Sequence, residues 1–254
     1  MGVKILSVMN DPNCNVKLIA KVIKNDAGLS AFIVKTACSS RFATLNSPKD
    51  LEGSIARMGI RETYHLSIAF LSRFIFKSAN KAVQKQLQAA HKFSTKTAVI
   101  AFFLAGRVRK VQPSEALLAG LFQDIGVPAI LVALGKYPDI FNDEAKKASC
   151  IDALAPKIGA AILKQWGFDE AMIAVVQSRK NWMLESEEVG LPELILIARL
   201  HAMIGSQAFK ECPRLDEIPA FAKLNLGELG PDGTLQILID SQQEINEIQR
   251  SLGG

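Results

Sequence analysis

The chain has 254 residues, of which 49% are hydrophobic and 22% are charged. This composition excludes a disordered chain and a collagen-like or mucin-like repeat, because the apolar content is sufficient for a packed core. The net charge of +5 conceals an asymmetry: residues 1–110 hold 18 Lys and Arg against 5 Asp and Glu, whereas residues 111–254 hold 12 against 20. A net charge of +13 in one part and −8 in the other predicts two lobes and an acidic partner.

The helical period begins near the N-terminus and continues along the chain. Asn15 suits the N-cap of a first helix, in which Leu18, Ile19, Val22 and Ile23 form the apolar face. A further helix is predicted to start at Ser47, with Pro48 at its first position, and to end at Gly59. An amphipathic run from Arg61 to about Lys77 predicts the next helix.

The middle of the chain predicts long and strongly apolar helices. Residues 80–110 form either one helix or two helices that meet near Lys92–Ser94. Pro113 opens a helix that ends at Gly126, and Pro128 opens the following one. The stretch Leu117–Leu134 is long enough to span a membrane, but Gln123, Asp124 and the central Gly and Pro favour a buried helix pair.

The last third of the chain predicts four more helices. Asp152 suits the N-cap of a helix that ends at Trp166–Gly167, and Asp169 suits the cap of a helix that runs to about Arg179. The final two are predicted over Leu191–Ala208 and Asp232–Leu252. Strand alternation is not found at useful length, so the fold class is all-α with about a dozen helices. The boundary between the lobes is expected within Ser78–Ala90.

The cysteines and the N-terminus indicate the compartment. No two cysteines are close enough in sequence for a zinc knuckle or a redox pair. Isolated cysteines of this kind are typical of a protein of the reducing cytosol. Residues 1–13 lack the apolar core and cleavage site of a signal peptide. We therefore expect a cytoplasmic protein without membrane contact. The four cysteines are Cys14, Cys38, Cys150 and Cys212.

Motifs for catalysis are scarce. The sequence has no phosphate-binding glycine loop, no GxSxG nucleophile elbow and no HExxH zinc motif. Its three histidines, His65, His91 and His201, are isolated from one another, so a metal site built from histidine is difficult to assemble.

One segment resembles a known signature. Residues 119–126 read AGLFQDIG, which is similar to the GLLHDIG pattern of the HD superfamily of metal-dependent phosphohydrolases. Residues 18–42, 54–60 (SIARMGI) and 158–167 (IGAAILKQWG) resemble successive helices of the HDOD domain, the HD-related output domain. The resemblance spans roughly residues 10–210. It implies a single HDOD-type domain over 1–254, made of an N-terminal basic helical bundle at 1–85 and an HD-like helical lobe at 86–254.

The resemblance does not carry over the metal ligands. Gln123 stands where the HD pair has its His, while Asp124 remains. The other ligand positions of the family correspond to Phe93-Ser94-Thr95, to Ala155, to Arg179-Lys180 and to Arg199. Because cations cannot ligate a metal, the resemblance implies no metal, no cofactor and no catalytic residue.

Asp124 then needs another partner. We expect an ion pair between Asp124 and one of Arg179, Lys180 or Arg199. A structure in which all three cations lie more than about 6 Å from Asp124 would contradict this expectation. The alternative is that Asp124 accepts hydrogen bonds from backbone N–H groups at a helix end.

The resemblance implies a non-enzymatic regulatory module of bacterial signal transduction that acts through protein contacts. Its functional surface is expected in a groove between the lobes, near Gln123, Asp124, Arg179, Lys180 and Arg199. A protein partner, acidic where it meets the basic lobe, is the expected ligand; nucleic acid is not expected, since no recognition motif accompanies the charge.

Three alternatives stay open. One is a divergent phosphohydrolase that acts on a nucleotide or cyclic dinucleotide through a metal at Asp124. The second is a nucleotide sensor without turnover, in which Arg179, Lys180 or Arg199 holds a phosphate. The third is non-specific nucleic-acid binding by the basic lobe.

Overall fold

The computed structural model confirms the all-α class. It describes residues 5, 8, 13–39, 42, 48–108, 110–187, 189–224, 235–240, 243, 245 and 246. The structure is 74% helical, and no strand occurs among these residues. The chain divides into two compact units, which we call unit 1 (Met1–Phe74) and unit 2 (Ile75–Gly254).

In its described part, from Val16 onward, unit 1 contains four short helices followed by a 3₁₀ turn at Ser72–Phe74. They are α1 (Val16–Ile23), α2 (Ala27–Ala37), α3 (Leu51–Met58) and α4 (Ile60–Leu71). Asn15 caps α1 as predicted, because its side-chain oxygen accepts from the backbone N–H of Leu18. The N-cap of α3 is Asp50, whose carboxylate accepts a hydrogen bond from the N–H of Gly53. Ser47, the predicted start of this helix, lies outside the described residues.

The core of unit 1 forms where α1, α2 and α3 present their apolar faces. Ile23, Leu29, Ile33 and Ile55 are fully buried, as the 3.6-residue period of these segments predicts. Gly59 ends α3 with a φ of 88°, a conformation that a side chain at this position would strain.

Unit 2 begins with a 25-residue helix. Asn80 caps it by accepting from the N–H groups of Ala82 and Val83, and it continues without a break to Ala105. The alternative of two helices is therefore wrong. A boundary at residue 85 would cut this helix, whereas the division after Phe74 precedes it.

The helices of unit 2 follow one another with short connections. Among the residues that the structure describes, they are α5 (Lys81–Ala105), α6 (Pro113–Phe122), α7 (Gly126–Leu134), α8 (Pro138–Phe141), α9 (Glu144–Gln165), α10 (Glu170–Gln177), α11 (Leu191–Met203), α12 (Pro219–Leu224) and α13 (Gln236–Asp240), with 3₁₀ turns at Gln207–Glu211 and Leu215–Glu217. Helix α11 ends before the predicted Ala208, and most of the predicted helix Asp232–Leu252 lies outside the described residues.

Helix α9 starts earlier than predicted. Its N-cap is Asp143, whose carboxylate accepts from the N–H of Lys146, and Pro156 lies inside the helix. Asp152 is consequently a mid-helix residue, which leaves its carboxylate available for other partners. Asp169 does cap α10, as expected.

Two glycines bring the helices of unit 2 unusually close. A Cβ atom on Gly120 would lie 2.5 Å from the Cα of Ala98, so α6 and α5 touch through their backbones there. A Cβ atom on Gly126 would lie 2.4 Å from the carbonyl oxygen of Ala155, which brings the start of α7 against α9. The turn between α6 and α7, residues 123–125, is thus held on both sides.

The apolar stretch around this turn lies within the protein. Pro113–Leu134 is long and apolar enough to cross a membrane, with a mean hydropathy of 2.0, yet 78% of this window is buried inside the protein. The structure breaks it into α6 and α7, as the predicted helix pair requires.

The charge asymmetry does not coincide with the division into units. Unit 1 holds 10 Lys and Arg against 5 Asp and Glu, whereas unit 2 holds 20 of each. The remaining basic excess lies in residues 75–110, which hold eight Lys and Arg and no acidic residue. The basic excess is therefore divided between unit 1 and residues 75–110 of unit 2, and half of the latter group (Lys81, Lys85, Lys92 and Lys96) lies on α5.

Candidate functional site

The candidate site is a buried ion-pair network centred on Asp124, in the turn between α6 and α7. Its carboxylate is 8% exposed, and both oxygens are engaged. Oδ1 accepts from Nε of Arg179 at 2.5 Å, and Oδ2 accepts from Nη1 of Arg199 at 2.7 Å. The predicted ion pair is confirmed, and it involves two arginines rather than one. Both oxygens of Asp124 therefore bind side chains, and not the backbone N–H groups of the alternative prediction.

The two arginines reach Asp124 from different elements of unit 2. Arg199 comes from the middle of α11, and Arg179 from the turn just after α10. Both side chains are only 6% exposed. Arg199 also donates from Nη1 to Oε1 of Gln123 at 2.8 Å, and its guanidinium carbon lies 4.9 Å from the centre of the Phe93 ring. The network therefore links four helices of unit 2.

The network continues toward the surface through Asp152, which sequence reasoning missed as a partner. Arg179 Nη1 donates to Asp152 Oδ1 at 3.1 Å, and Lys180 Nζ donates to both oxygens of Asp152 at 2.6 and 2.8 Å. Asp152 and Lys180 are 46% and 45% exposed. Lys180, one of the three cations expected to pair with Asp124, thus pairs with Asp152 instead. The separation of 27 residues between Asp152 and Arg179 gives no local sequence signal.

The charges of the two arginines dominate the titration of Asp124. Burial by itself would raise the pKa of this carboxyl, but the charges and hydrogen bonds of Arg199 and Arg179 outweigh burial and hold the pKa at about 2. Burial likewise opposes the charge of Arg179, yet Asp124 and Asp152 raise the pKa of its guanidinium. The Asp124 carboxylate and the Arg179 guanidinium are therefore both ionised at neutral pH.

The residues around Asp124 do not fit a metal ion. Its two oxygens are taken by guanidinium groups, and the neighbouring Gln123 offers only a neutral amide oxygen that also binds Arg199. Within the described part of the chain, no three His, Cys, Asp or Glu side chains converge as a metal site would require. His91 instead packs its ring against Phe76, with the ring centres 4.8 Å apart.

Several buried polar atoms of the network and of α5 have no hydrogen-bond partner within the described part of the chain. They are Nε of Arg199, Nε2 of Gln123 and the hydroxyls of Ser94 and Thr95. Ser94 and Thr95 are neighbours of Phe93 on α5, at the position where the resembled enzymes supply a ligand. The structure therefore brings together Gln123, Asp124, Arg179 and Arg199 and adds Lys180 through Asp152.

Comparison with known proteins identifies the family. A model of the HDOD domain matches residues 1–182. A search of curated proteins finds no significant match. Solved structures with the same fold share little sequence with this chain, so they support the fold alone.

Three crystal structures illustrate this similarity. A candidate metal-dependent phosphohydrolase from Shewanella amazonensis has a TM-score of 0.81 and 21% identity, and the match covers 99% of this chain and 90% of that chain. An HDOD domain protein of unknown function from Geobacter sulfurreducens has a TM-score of 0.63, 16% identity and coverage of 99% and 90%. A candidate signal transduction protein from Marinobacter aquaeolei has a TM-score of 0.57, 15% identity and coverage of 100% and 58%. With a family match over more than half its length and the all-α fold of these structures, the chain belongs to the HDOD family, the HD-related output domains.

Proposed function

We propose that this protein is a non-enzymatic regulatory module that acts through protein contacts in the cytoplasm. The observation that carries this proposal is the pairing of both Asp124 oxygens with arginine. A phosphohydrolase of the HD type needs this carboxylate on a metal. In this chain a metal would have to displace two buried guanidinium groups, whose positive charge also repels it.

Metal analysis and activity assays on the purified full chain test the absence of turnover. We expect no stoichiometric Mn, Fe or Ni and no hydrolysis of nucleotides, cyclic dinucleotides or phosphate monoesters. The variant Gln123→His, which restores the HD pair, should also remain free of metal, because it leaves both Asp124 oxygens engaged. Stoichiometric metal together with phosphatase activity in the natural chain would overturn the proposal.

The positions of the three cations do not favour the nucleotide-sensor alternative. Two of its three phosphate-binding cations, Arg179 and Arg199, are buried against Asp124, and the third, Lys180, is paired with Asp152. A phosphate would therefore compete with carboxylates that are already in place. Calorimetric titration with mono-, di- and cyclic dinucleotides separates the two ideas, since binding without turnover would favour the sensor.

The partner is proposed to be an acidic protein surface that docks on α5. Lys81, Lys85 and Lys92 are exposed, and their spacing places all three within about 40° of one another around the helix. We call these three residues the lysine row, which extends for about 16 Å. No acidic residue occurs within 75–110, and in the described part of the chain none of the three lysines forms a salt bridge, so the row presents a line of positive charge.

One neighbouring feature adds to the row, whereas Lys96 does not extend it, because its amine is half-buried and donates to the backbone carbonyl of Ala202 at 2.9 Å. A hollow of about 430 Å³ lies beside the row and is lined by Lys77, Ser78, Ala79, Gln84 and Gln88. A partner with carboxylates along a helix or extended segment has charge complementarity here and room for one side chain.

Affinity capture from the native cell tests the surface. A protein that binds the natural chain should be lost with Lys85→Glu/Lys92→Glu but retained with Lys136→Glu/Lys157→Glu, which changes the charge of unit 2 by the same amount at other exposed positions. Equal loss with both pairs would mean that net charge, not the lysine row, governs binding. Capture that nuclease treatment abolishes would favour the nucleic-acid alternative.

A further inference from the structure

The loop that follows α10 presents alternate side chains to the solvent. Met183, Glu185 and Glu187 are exposed, whereas Leu184 and Ser186 between them are half-buried. This period of two places the exposed side chains along one edge of the loop. We call Met183, Glu185 and Glu187 the acidic edge, which extends for at most about 14 Å.

The loop is fixed to unit 2 on both sides of Met183. Arg179, at its start, is bound to the buried carboxylate of Asp124. The carbonyl oxygen of Ser186, near its end, accepts from Nζ of Lys223 at 2.7 Å. Because these contacts already order the loop, its docking on another molecule would cost little further conformational entropy.

The carboxylates of the acidic edge have no ion-pair partner in the described part of the chain. Neither Glu185 nor Glu187 forms a salt bridge there. Several other carboxylates of unit 2 are already paired at its surface, namely Asp143 with Lys146, Glu144 with Lys147 and Asp216 with Arg214. The charge of the acidic edge is therefore available to cations of another molecule.

The lysine row complements the acidic edge in charge and in length. Lys81 and Lys85 are separated by about 6 Å along α5. Glu185 and Glu187 are separated by at most about 7 Å. The whole row, about 16 Å long, matches the edge of at most about 14 Å. The hollow of about 430 Å³ beside the row has room for Met183, which is 53% exposed and has a flexible side chain.

We propose that the acidic edge of one copy docks on the lysine row of a second copy, so that the protein associates with itself through unit 2. Among the described residues of one copy, no salt bridge joins the two surfaces. Two copies can exchange both contacts, or several can join head to tail. The inference rests on the lysine row as the docking surface of the proposed function. A second copy and an acidic partner compete for this row, so self-association regulates access of the partner.

Sedimentation velocity of the purified full chain over a range of concentrations tests the association. The measurement is made at two ionic strengths, because exposed charges interact over about 30 Å at about 0.01 M salt but over only about 8 Å at about 0.15 M. The natural chain should sediment faster as its concentration rises, and this increase should be larger at the lower ionic strength.

Two charge reversals identify the surfaces in contact. Lys85→Glu/Lys92→Glu makes the row negative like the edge, and Glu185→Lys/Glu187→Lys makes the edge positive like the row. Each variant alone should stay monomeric, because every row then meets an edge of its own sign. An equimolar mixture of the two variants should associate again, since each row then meets an edge of opposite sign. All four residues are exposed, so both variants should keep the helical circular dichroism of the natural chain.

The matched control Lys136→Glu/Lys157→Glu changes the net charge as the row variant does and should associate as the natural chain does. This pattern, together with recovery in the mixture, supports the proposal. A natural chain that is monomeric at both ionic strengths overturns it, as does association of either reversal variant alone or a mixture that stays monomeric. Capture of an acidic partner needs the row but neither Glu185 nor Glu187, so a monomeric chain that still captures its partner would overturn self-association and leave the proposed function intact.

Discussion

Replacement of Asp124 by asparagine tests the central role of this residue in unit 2. The change keeps the size of the side chain but removes the charge between two arginines that are each 6% exposed. One asparagine oxygen can still accept from one guanidinium, whereas the amide nitrogen turns a donor toward the other. Removal of one partner from a buried ion pair costs about 3–5 kcal/mol, a large part of the 5–15 kcal/mol that ordinarily stabilises a protein.

Urea unfolding monitored by tryptophan fluorescence measures this loss directly. Both tryptophans of the chain, Trp166 and Trp182, lie in unit 2 and report on its unfolding. The matched control is Asp152→Asn, which removes a carboxylate that is 46% exposed and should cost about 1 kcal/mol or less. A loss below about 1 kcal/mol for Asp124→Asn would refute the reasoning, because the two arginines would then be stable without their shared carboxylate.

Three further predictions concern the same unit. Because the pKa of Asp124 falls from an ordinary 3.8 to about 2 on folding, its ionisation stabilises the protein fully above pH 3.8. About 2 kcal/mol of this stability should be lost as the pH falls through 2, a loss that acid unfolding measures and that Asp124→Asn should not show. Gly126→Ala should cost about 1–3 kcal/mol in urea unfolding, since the new Cβ would lie 2.4 Å from the Ala155 carbonyl oxygen; Gly106→Ala, at 3.3 Å from its nearest carbonyl, should change stability by less than about 0.5 kcal/mol. Asn80→Ala should cost about 1 kcal/mol by removing the cap of α5, and Asn80→Asp should restore most of it; equal stability of both variants would contradict the capping role.

Local features of the sequence were sufficient to predict several elements. Asn15 and Asp169 are caps because the side-chain oxygen of Asn or Asp can accept a hydrogen bond from a backbone N–H three residues later in the helix. This interaction is local, so it does not depend on the rest of the fold. The same logic failed at α9, where Asp143 and Asp152 both precede apolar residues at helical spacing. Only the packing of the whole helix against α7 and α10 favours the earlier start, and a local pattern does not contain that information.

The candidate site was predictable to the extent that the family resemblance aligned its residues. That alignment indicated Asp124, Arg179 and Arg199, and the structure brings them together. The place of Asp152 was not predictable, because it depends on which face of α9 lies beside the turn that follows α10. That face is set by the close contact of Gly126 with Ala155, three residues beyond Asp152 on the same helix.

The burial of Pro113–Leu134 has a consequence for the synthesis of the chain. Helix α9, which covers α7, begins at Glu144, ten residues after the stretch ends, but α11, which packs on α6, begins only at Leu191. At translation rates of ~5–20 residues per second, the ribosome takes on the order of 3–10 s to extend the chain from Leu134 to Leu191. During that interval α6 can pack on α5, which precedes it in the chain, but the face that α11 covers stays without its partner. The order in which the helices emerge therefore leaves one apolar face of this stretch exposed for seconds after its synthesis.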